Sequence, residues 1–189
     1  MEIGLYFGSF NPIHHGHLII ASHIINQTSV KQVWFVVSPQ NPFKPAASLL
    51  NEHHRLHLVQ CAINEVPEFR ASNVEFKLPK PSYTIDTLTY LQEKYPMHKF
   101  VVIMGSDSFQ NIGKWKNAET LLKNWPILIY KRPGFEIKDT LPESISVLEA
   151  PLLQISSTGI RKLIKEQKNI KFLVTDVVKN EIEQNNYYK

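Results

Sequence analysis

The stretch Gly8-Ser9-Phe10-Asn11-Pro12-Ile13-His14-His15-Gly16-His17 follows an apolar run at the start of the chain. A turn needs a glycine or an Asn-Pro pair, but it does not need three histidines. His14 and His17 are three residues apart, so the first turn of a helix would aim both to one side. The free N–H groups and the dipole of a helix start favour negative charge, and two imidazoles beside them suit phosphate oxygens. Gly8 and Gly16 allow a backbone to approach a ligand closely. The plainer alternative is a capped turn with surface histidines. A His-x-x-His metal site needs three or four ligands, and no carboxylate or cysteine stands close by in sequence to complete one.

A second stretch, Ile155-Ser156-Ser157-Thr158-Gly159-Ile160-Arg161, sets hydroxyls at a helix start with an arginine one turn in. That composition makes a second anion cradle, or by itself an ordinary N-cap. Neither stretch is a GxGxxG dinucleotide loop or a GxxxxGK[ST] phosphate loop. Together they point to chemistry on nucleotide phosphates.

The elements that must position these residues are legible as short apolar runs, Ile3 to Phe7, Val33 to Val37, Phe100 to Met104 and Ile127 to Tyr130. Each is β-branched or aromatic and short enough to be a strand buried on both faces. Helical periodicity falls between them: Leu18, Ala21 and Ile25 share one face, as do Leu56, Val59 and Ile63, then Ile85, Leu88 and Leu91. Asn51 is the expected cap of the second helix and Thr84 of the third. The segment Ile170 to Ile182 adds an apolar stripe through Leu173, Val174 and Val177. Pro39 to Leu50 and Arg132 to Glu149 read as irregular connections. Alternating strands and helices predict an α/β fold, a doubly wound, Rossmann-like parallel sheet with helices on both faces and a small C-terminal helical part. Ligands in such sheets sit beyond the carboxyl ends of the strands, so the loops after Phe7, Val37, Met104 and Tyr130 are the ones to inspect.

The chain of 189 residues is expected to form one domain over 1–189. Hydrophobic residues at 43% and charged residues at 20% are ordinary for a soluble globular protein. The single cysteine, Cys61, excludes an intrachain disulfide framework and suits a reducing compartment. The stretch LIIASHII is far too short to span a membrane, and no secretory signal opens the chain, so a cytoplasmic location is expected. A net charge of +4 and a pI near 9.1 favour anionic partners. No block of five or more Lys/Arg appears, which favours small polyanions over a nucleic acid.

The HxGH within GSFNPIHHGH and the downstream ISSTGIR resemble the paired signatures of the nucleotidyltransferase superfamily. Over nearly its whole length the chain resembles the bacterial nicotinate-nucleotide adenylyltransferases. Pro81-Ser82-Tyr83-Thr84 is similar to the family's PSYT, whose backbone amides hold the nicotinate carboxylate. Gly105-Ser106-Asp107-Ser108 resembles its GxDS element, Lys131-Arg132-Pro133-Gly134 its RRPG turn, and Trp115 stands where the family stacks an aromatic on the pyridine ring. Four departures accompany these matches: Phe7 and Asn11 stand for the usual Gly and Asp, Lys131 for Arg, and the loop Pro39 to Lys44 is short and lacks a histidine. GSFNP is closer to the eukaryotic nicotinamide-mononucleotide enzymes.

The resemblance implies adenylyl transfer from ATP to nicotinate mononucleotide, with Mg2+ accompanying ATP. It implies catalytic roles for His14, His17 and Arg161, and ATP contacts from Gly8, Ser9, Phe10, Gly16, Gly105, Asp107, Ser156, Ser157 and Thr158. It assigns Asn41, Lys44, Ser82, Tyr83, Thr84, Trp115 and Arg132 to the nicotinate nucleotide. The partners implied are small molecules, with neither nucleic acid nor membrane. The alternatives are an amide-specific or dual-specificity enzyme, a phosphopantetheine adenylyltransferase, which Pro81 to Thr84 and Trp115 disfavour, and a non-catalytic nucleotide-binding regulator.

Overall fold

The computed structural model describes residues 1–40, 49–137, 141–151 and 154–189. Asn41 and Lys44 therefore lie outside the described residues. The elements in chain order are β1 (Glu2–Gly8), α1 (His15–Gln27), β2 (Gln32–Val37), α2 (Glu52–Ile63), β3 (Phe69–Ser72), α3 (Thr84–Lys94), β4 (Lys99–Gly105), α4 (Ser106–Phe109), α5 (Ala118–Asn124), β5 (Ile127–Tyr130), β6 (Ile145–Leu148), α6 (Ser157–Lys165) and α7 (Asp176–Gln184). A single 3-10 turn at Val74–Lys77 lies between β3 and α3, and another at Ile112–Lys114 between α4 and α5.

The six strands are all parallel in the order β3-β2-β1-β4-β5-β6, the doubly wound arrangement expected. The order reverses between β1 and β4, so a crevice opens beyond Gly8 and Gly105 at their carboxyl ends. Side chains alternate between two cores. Tyr6, Val33, Phe35, Val37 and Ile103 face one layer with Ala21 and Ile24 of α1, Leu58 and Val59 of α2, Ile160 of α6 and Val178 of α7. Ile3, Leu5, Trp34, Val36 and Val102 face the other, with Leu88 and Leu91 of α3 and Leu121 of α5. This alternation is why the central runs are apolar at every position.

Four expectations need correcting. β3 and β6 were hidden, β6 inside the connection read as irregular from Arg132 to Glu149, because both are short edge strands with exposed polar residues between the apolar ones. The third helix is capped by Tyr83, with Thr84 its first residue; Asn51 does cap α2, accepting from the His53 N–H at 2.9 Å. The stripe through Leu173, Val174 and Val177 is not one helical face. α7 starts at Asp176, with Thr175 accepting from the Val178 N–H, so Val178 and Ile182 turn inward and Val177 is left exposed. On α2 the inward face includes a fully buried arginine, Arg55, beside Leu58, Val59 and Ile63.

Candidate active site

The first loop leaves β1 in a compact knot. Phe10 takes a left-handed φ of 44° and buries its ring against Tyr6, Phe35 and His17. A Cβ on Gly8 would lie 2.8 Å from that ring, and one on Gly16 would lie 3.0 Å from the His14 imidazole. The two glycines thus accommodate the loop's own rings as well as leaving the backbone bare. His14 caps α1 in extended conformation, and its ring stacks on that of His17 at 3.7 Å between centroids. The His14 N–H donates to Nδ1 of His17 at 3.3 Å, so neutral His17 carries its proton on Nε2. Burial, reinforced by the charges of Arg132 and His15, holds His14 down at about 4, so it is neutral at physiological pH. Nδ1 of His14 and the hydroxyl of Ser9 are buried there without hydrogen-bond partners.

The start of α6 is fastened to this loop. Ser157 Oγ donates to the Pro12 carbonyl at 2.9 Å, and Arg161 Nη1 donates to the Asn11 carbonyl at 2.8 Å. Ser156 is a true N-cap, accepting from the Gly159 N–H at 3.1 Å. Thr158 is exposed and accepts from Arg161 Nη2 at 3.3 Å. Both anion cradles therefore stand side by side although 145 and 150 residues separate their tied members.

From beneath, Arg55 reaches the loop with 0% exposure. Its guanidinium donates to the carbonyls of Ser9 (2.6 Å), Leu50 (2.7 Å), Ser38 (2.8 Å) and Pro39 (3.1 Å). One side chain thus joins the loops after β1 and β2 to the approach to α2.

Alongside lies a cavity of about 450 Å3 at the sheet's switch point, lined by Gly8, Ser9, Gly105, Asp107, Ser82, Tyr83, Thr84 and Trp115 among others. Gly105 ends β4 and precedes α4; Asp107 pairs with Arg132 at 3.0 Å, and the Arg132 N–H donates to Ser106 Oγ at 2.9 Å. Trp115 is half-buried at the rim. Glu75, 2% exposed, accepts from Ser82 Oγ at 2.7 Å and Thr87 Oγ1 at 3.0 Å. Burial pushes its carboxyl up, against the opposing hydrogen bonds of Ser82, Ser38 and Thr87. The Tyr6 hydroxyl donates to that of Tyr130 at 3.2 Å; both phenols line the cavity, and burial raises both.

The residues expected from sequence thus form two adjoining groups. Gly8, Ser9, Gly105, Asp107, Ser82, Tyr83, Thr84 and Trp115 wall the cavity, with Arg132 bound to Asp107 at its edge. His14, His17, Phe10, Gly16, Ser156, Ser157, Thr158 and Arg161 belong to the joined helix starts and do not line it. Sequence reading missed Arg55, Glu75, Tyr6 and Tyr130. Arg55 sits on an apolar helical stripe, which is the one signal that could have marked it as buried.

A family model described as cytidylyltransferase-like matches residues 5–163. A Cytophaga hutchinsonii protein named "probable nicotinate-nucleotide adenylyltransferase" is 50% identical over 190 residues, covering 100% of this chain and 98% of that protein. A Bacteroides thetaiotaomicron protein of the same name is 42% identical, covering 92% and 87%. Among solved structures, Plasmodium falciparum nicotinic acid mononucleotide adenylyltransferase complexed with NaAD superimposes with a TM-score of 0.85 at 24% identity, over 99% of this chain and 97% of that one. At that identity the superposition speaks for the fold.

Proposed function

The chain belongs to the nicotinate-nucleotide adenylyltransferase family, and on that premise we propose that it joins ATP to nicotinate mononucleotide, yielding nicotinate adenine dinucleotide and pyrophosphate in the building of NAD. The observation that carries the reading is the joining of two helix starts at Asn11 and Pro12 beside the cavity of Ser82 to Thr84 and Trp115. All 189 residues act as one nucleotidyltransferase domain in this reading.

An oxygen of the nicotinate mononucleotide phosphate attacks the α-phosphorus of ATP. A new P–O bond forms in line as the bond to the bridging oxygen of the β-phosphate breaks, and pyrophosphate leaves with that electron pair. No protein nucleophile is needed; positioning and charge stabilisation carry such a transfer. His17 offers its Nε2 proton, and His14 donates as a neutral imidazole, to the α-phosphate oxygens. Arg161, held by Asn11, meets the leaving pyrophosphate with the donors it has left. Ser9, Gly105, Asp107 and Thr158 line the path of ATP, while Arg132 meets the nicotinate nucleotide.

At the start of α3 the Asp86 N–H turns back to the Tyr83 carbonyl at 3.1 Å, and the backbone N–H groups before it suit a carboxylate over a carboxamide. Ser82 is already donating to Glu75, so backbone N–H groups at Tyr83 and Thr84 remain as the recognising donors. Trp115 at the rim offers its face to the pyridine ring.

Enzymes of this class take ATP with a divalent metal ion, and we assign Mg2+. Asp107 is paired with Arg132 and Glu75 is enclosed by two hydroxyls, so the cleft fits an ion held mainly by phosphate oxygens and water. Bound with ATP, it supplies charge neutralisation at the phosphates. Among the described residues no helix is long and apolar enough to cross a membrane. A cytoplasmic location and small-molecule partners complete the proposal.

Pyrophosphate release from purified protein and Mg-ATP tests it, with nicotinate mononucleotide, nicotinamide mononucleotide and phosphopantetheine offered in parallel. Turnover at least about tenfold faster with the first is expected, corresponding to ~1.4 kcal/mol of discrimination. Equal turnover with the amide would remove the acid selectivity assigned to α3. Turnover with phosphopantetheine alone would overturn the function.

A further inference from the structure

Where α7 packs on α2, away from the cleft, three donor atoms of different chemistry converge. His57 and Cys61 are four residues apart on α2, so both rise from one stripe of the helix, and Glu181 faces them from α7. His57 Nε2 stands 3.2 Å from Glu181 Oε2 and 3.6 Å from Cys61 Sγ, and the three donor atoms lie within 4.8 Å of one another. The same ring nitrogen faces both the carboxylate and the sulfur. With at most one proton on that nitrogen, it can donate to one neighbour or accept from the other, but not both.

A tetrahedral zinc ion resolves that conflict. Bonds of about 2.0–2.1 Å to nitrogen, about 2.0–2.2 Å to a carboxylate oxygen and about 2.3 Å to sulfur give an N···O edge of about 3.3–3.5 Å and an N···S edge of about 3.6 Å. The N···S distance in the protein, 3.6 Å, matches its edge, and the N···O distance, 3.2 Å, comes within about 0.1–0.3 Å of its own. Asn185, one turn beyond Glu181, donates from Nδ2 to the same carboxylate oxygen at 3.3 Å and to the Glu181 carbonyl at 2.9 Å, which orients the carboxylate from outside. Among the described residues this is the one grouping of three such ligands.

We propose that α2 and α7 together form a zinc site, with His57 Nε2, Cys61 Sγ and Glu181 as ligands and a water in the fourth position. The His57 side chain is 51% exposed, which leaves the ion a way in from solvent. A thiolate and a carboxylate balance the charge of a divalent ion. A thiolate and an imidazole also select zinc against magnesium, so the Mg2+ that accompanies ATP does not compete. Occupancy ties the C-terminal helix to the helix that carries Arg55. It also fixes the tail behind α7, where Tyr187 stacks on His54 at 5.0 Å.

The test uses the full chain, reduced and stripped with a chelator, titrated first with Co2+ as a spectroscopic probe and then with Zn2+. One cobalt per chain is expected, with a thiolate-to-cobalt charge-transfer band that zinc displaces. Cys61→Ser abolishes the band, and Glu181→Gln weakens binding by at least about tenfold. Zinc a hundredfold above its Kd raises the Tm of the wild-type chain by roughly 5–10 °C and leaves that of Cys61→Ser unmoved. A missing band, or a zinc-induced rise in Tm that survives Cys61→Ser, overturns the site and leaves a plain His–Glu ion pair beside a thiol.

Discussion

Beneath the first loop, the guanidinium of Arg55 is fully buried and donates to four backbone carbonyls; above it, the half-buried Arg161 donates to one carbonyl and one hydroxyl. Both side chains hold the same ten residues, yet they answer different demands. Arg55 has four of its five N–H donors engaged by uncharged oxygens inside the protein, so it is committed to shape. Arg161 has two engaged and keeps a charged, planar face at the rim, where a pyrophosphate would meet it. The comparison teaches how the loop can be held rigid and still keep charge in reserve: the structural duty falls mainly on the buried arginine, which leaves the half-buried one with donors to spare for the phosphate of the proposed reaction.

The comparison breaks first at Arg55. Arg55→Leu leaves several buried carbonyls unpaired and is expected to cost about 3–5 kcal/mol of stability in denaturant unfolding, with Tm lower by roughly 10 °C. A variant of unchanged stability but depressed kcat would make the buried arginine part of the chemistry and erase the contrast.

In the proposed reaction, His17→Ala removes a donor to the reacting phosphate. Steady-state rates should show kcat lower by about 10²–10³-fold, with KM for nicotinate mononucleotide nearly constant. A rise in KM at constant kcat would instead make His17 a binding group.

His14 sharpens the contrast through pH. Its folded pKa of about 4 lies below the ordinary histidine value of 6.5, so between those values the unfolded chain binds more protons than the folded one. Stability therefore rises with pH through that window and is lost as pH falls from 6.5 towards 4, by on the order of 3 kcal/mol from this group. Urea unfolding at pH 7 and pH 4.5 should show a smaller difference for His14→Asn than for the wild-type chain.

The smallest effect is expected from Arg161→Lys, which keeps the charge and loses the fork. A drop of about tenfold in kcat/KM for ATP, ~1.4 kcal/mol, with Tm nearly unmoved, fits an arginine whose main duty is to a ligand. A large fall in Tm would show that the two arginines share the structural task.

The central strands and the helix starts were legible in the sequence because their signals are local. Buried runs such as Val33 to Val37 and the hydroxyl cluster at Ser156 need no knowledge of distant partners to be read. β3 and β6 were not legible, since an edge strand with one polar face differs little from a loop. The cap of α3 stands one residue before Thr84, at Tyr83, which makes no side-chain cap bond, so no cap-type residue marks it in the sequence. Arg55 and Glu75 were invisible for a related reason. A charged residue reads as exposed until its partners are known, and theirs are carbonyls and hydroxyls brought together by the fold. Motif resemblance located the cleft, while its underside could be found only in three dimensions.

The bonds from Ser157 to Pro12 and from Arg161 to Asn11 also order events in time. A chain made from its N-terminus exposes the histidine loop long before α6 has been synthesised, and those bonds cannot close until α6 exists. The loop-closure entropy of contacts so distant in sequence differs little from that of the β1–β4 pairing, so what delays them is the order of synthesis. In the proposed reaction, the phosphate grip of a nascent chain would stay incomplete until α6 is made, so competence for ATP would depend on the last third of the chain.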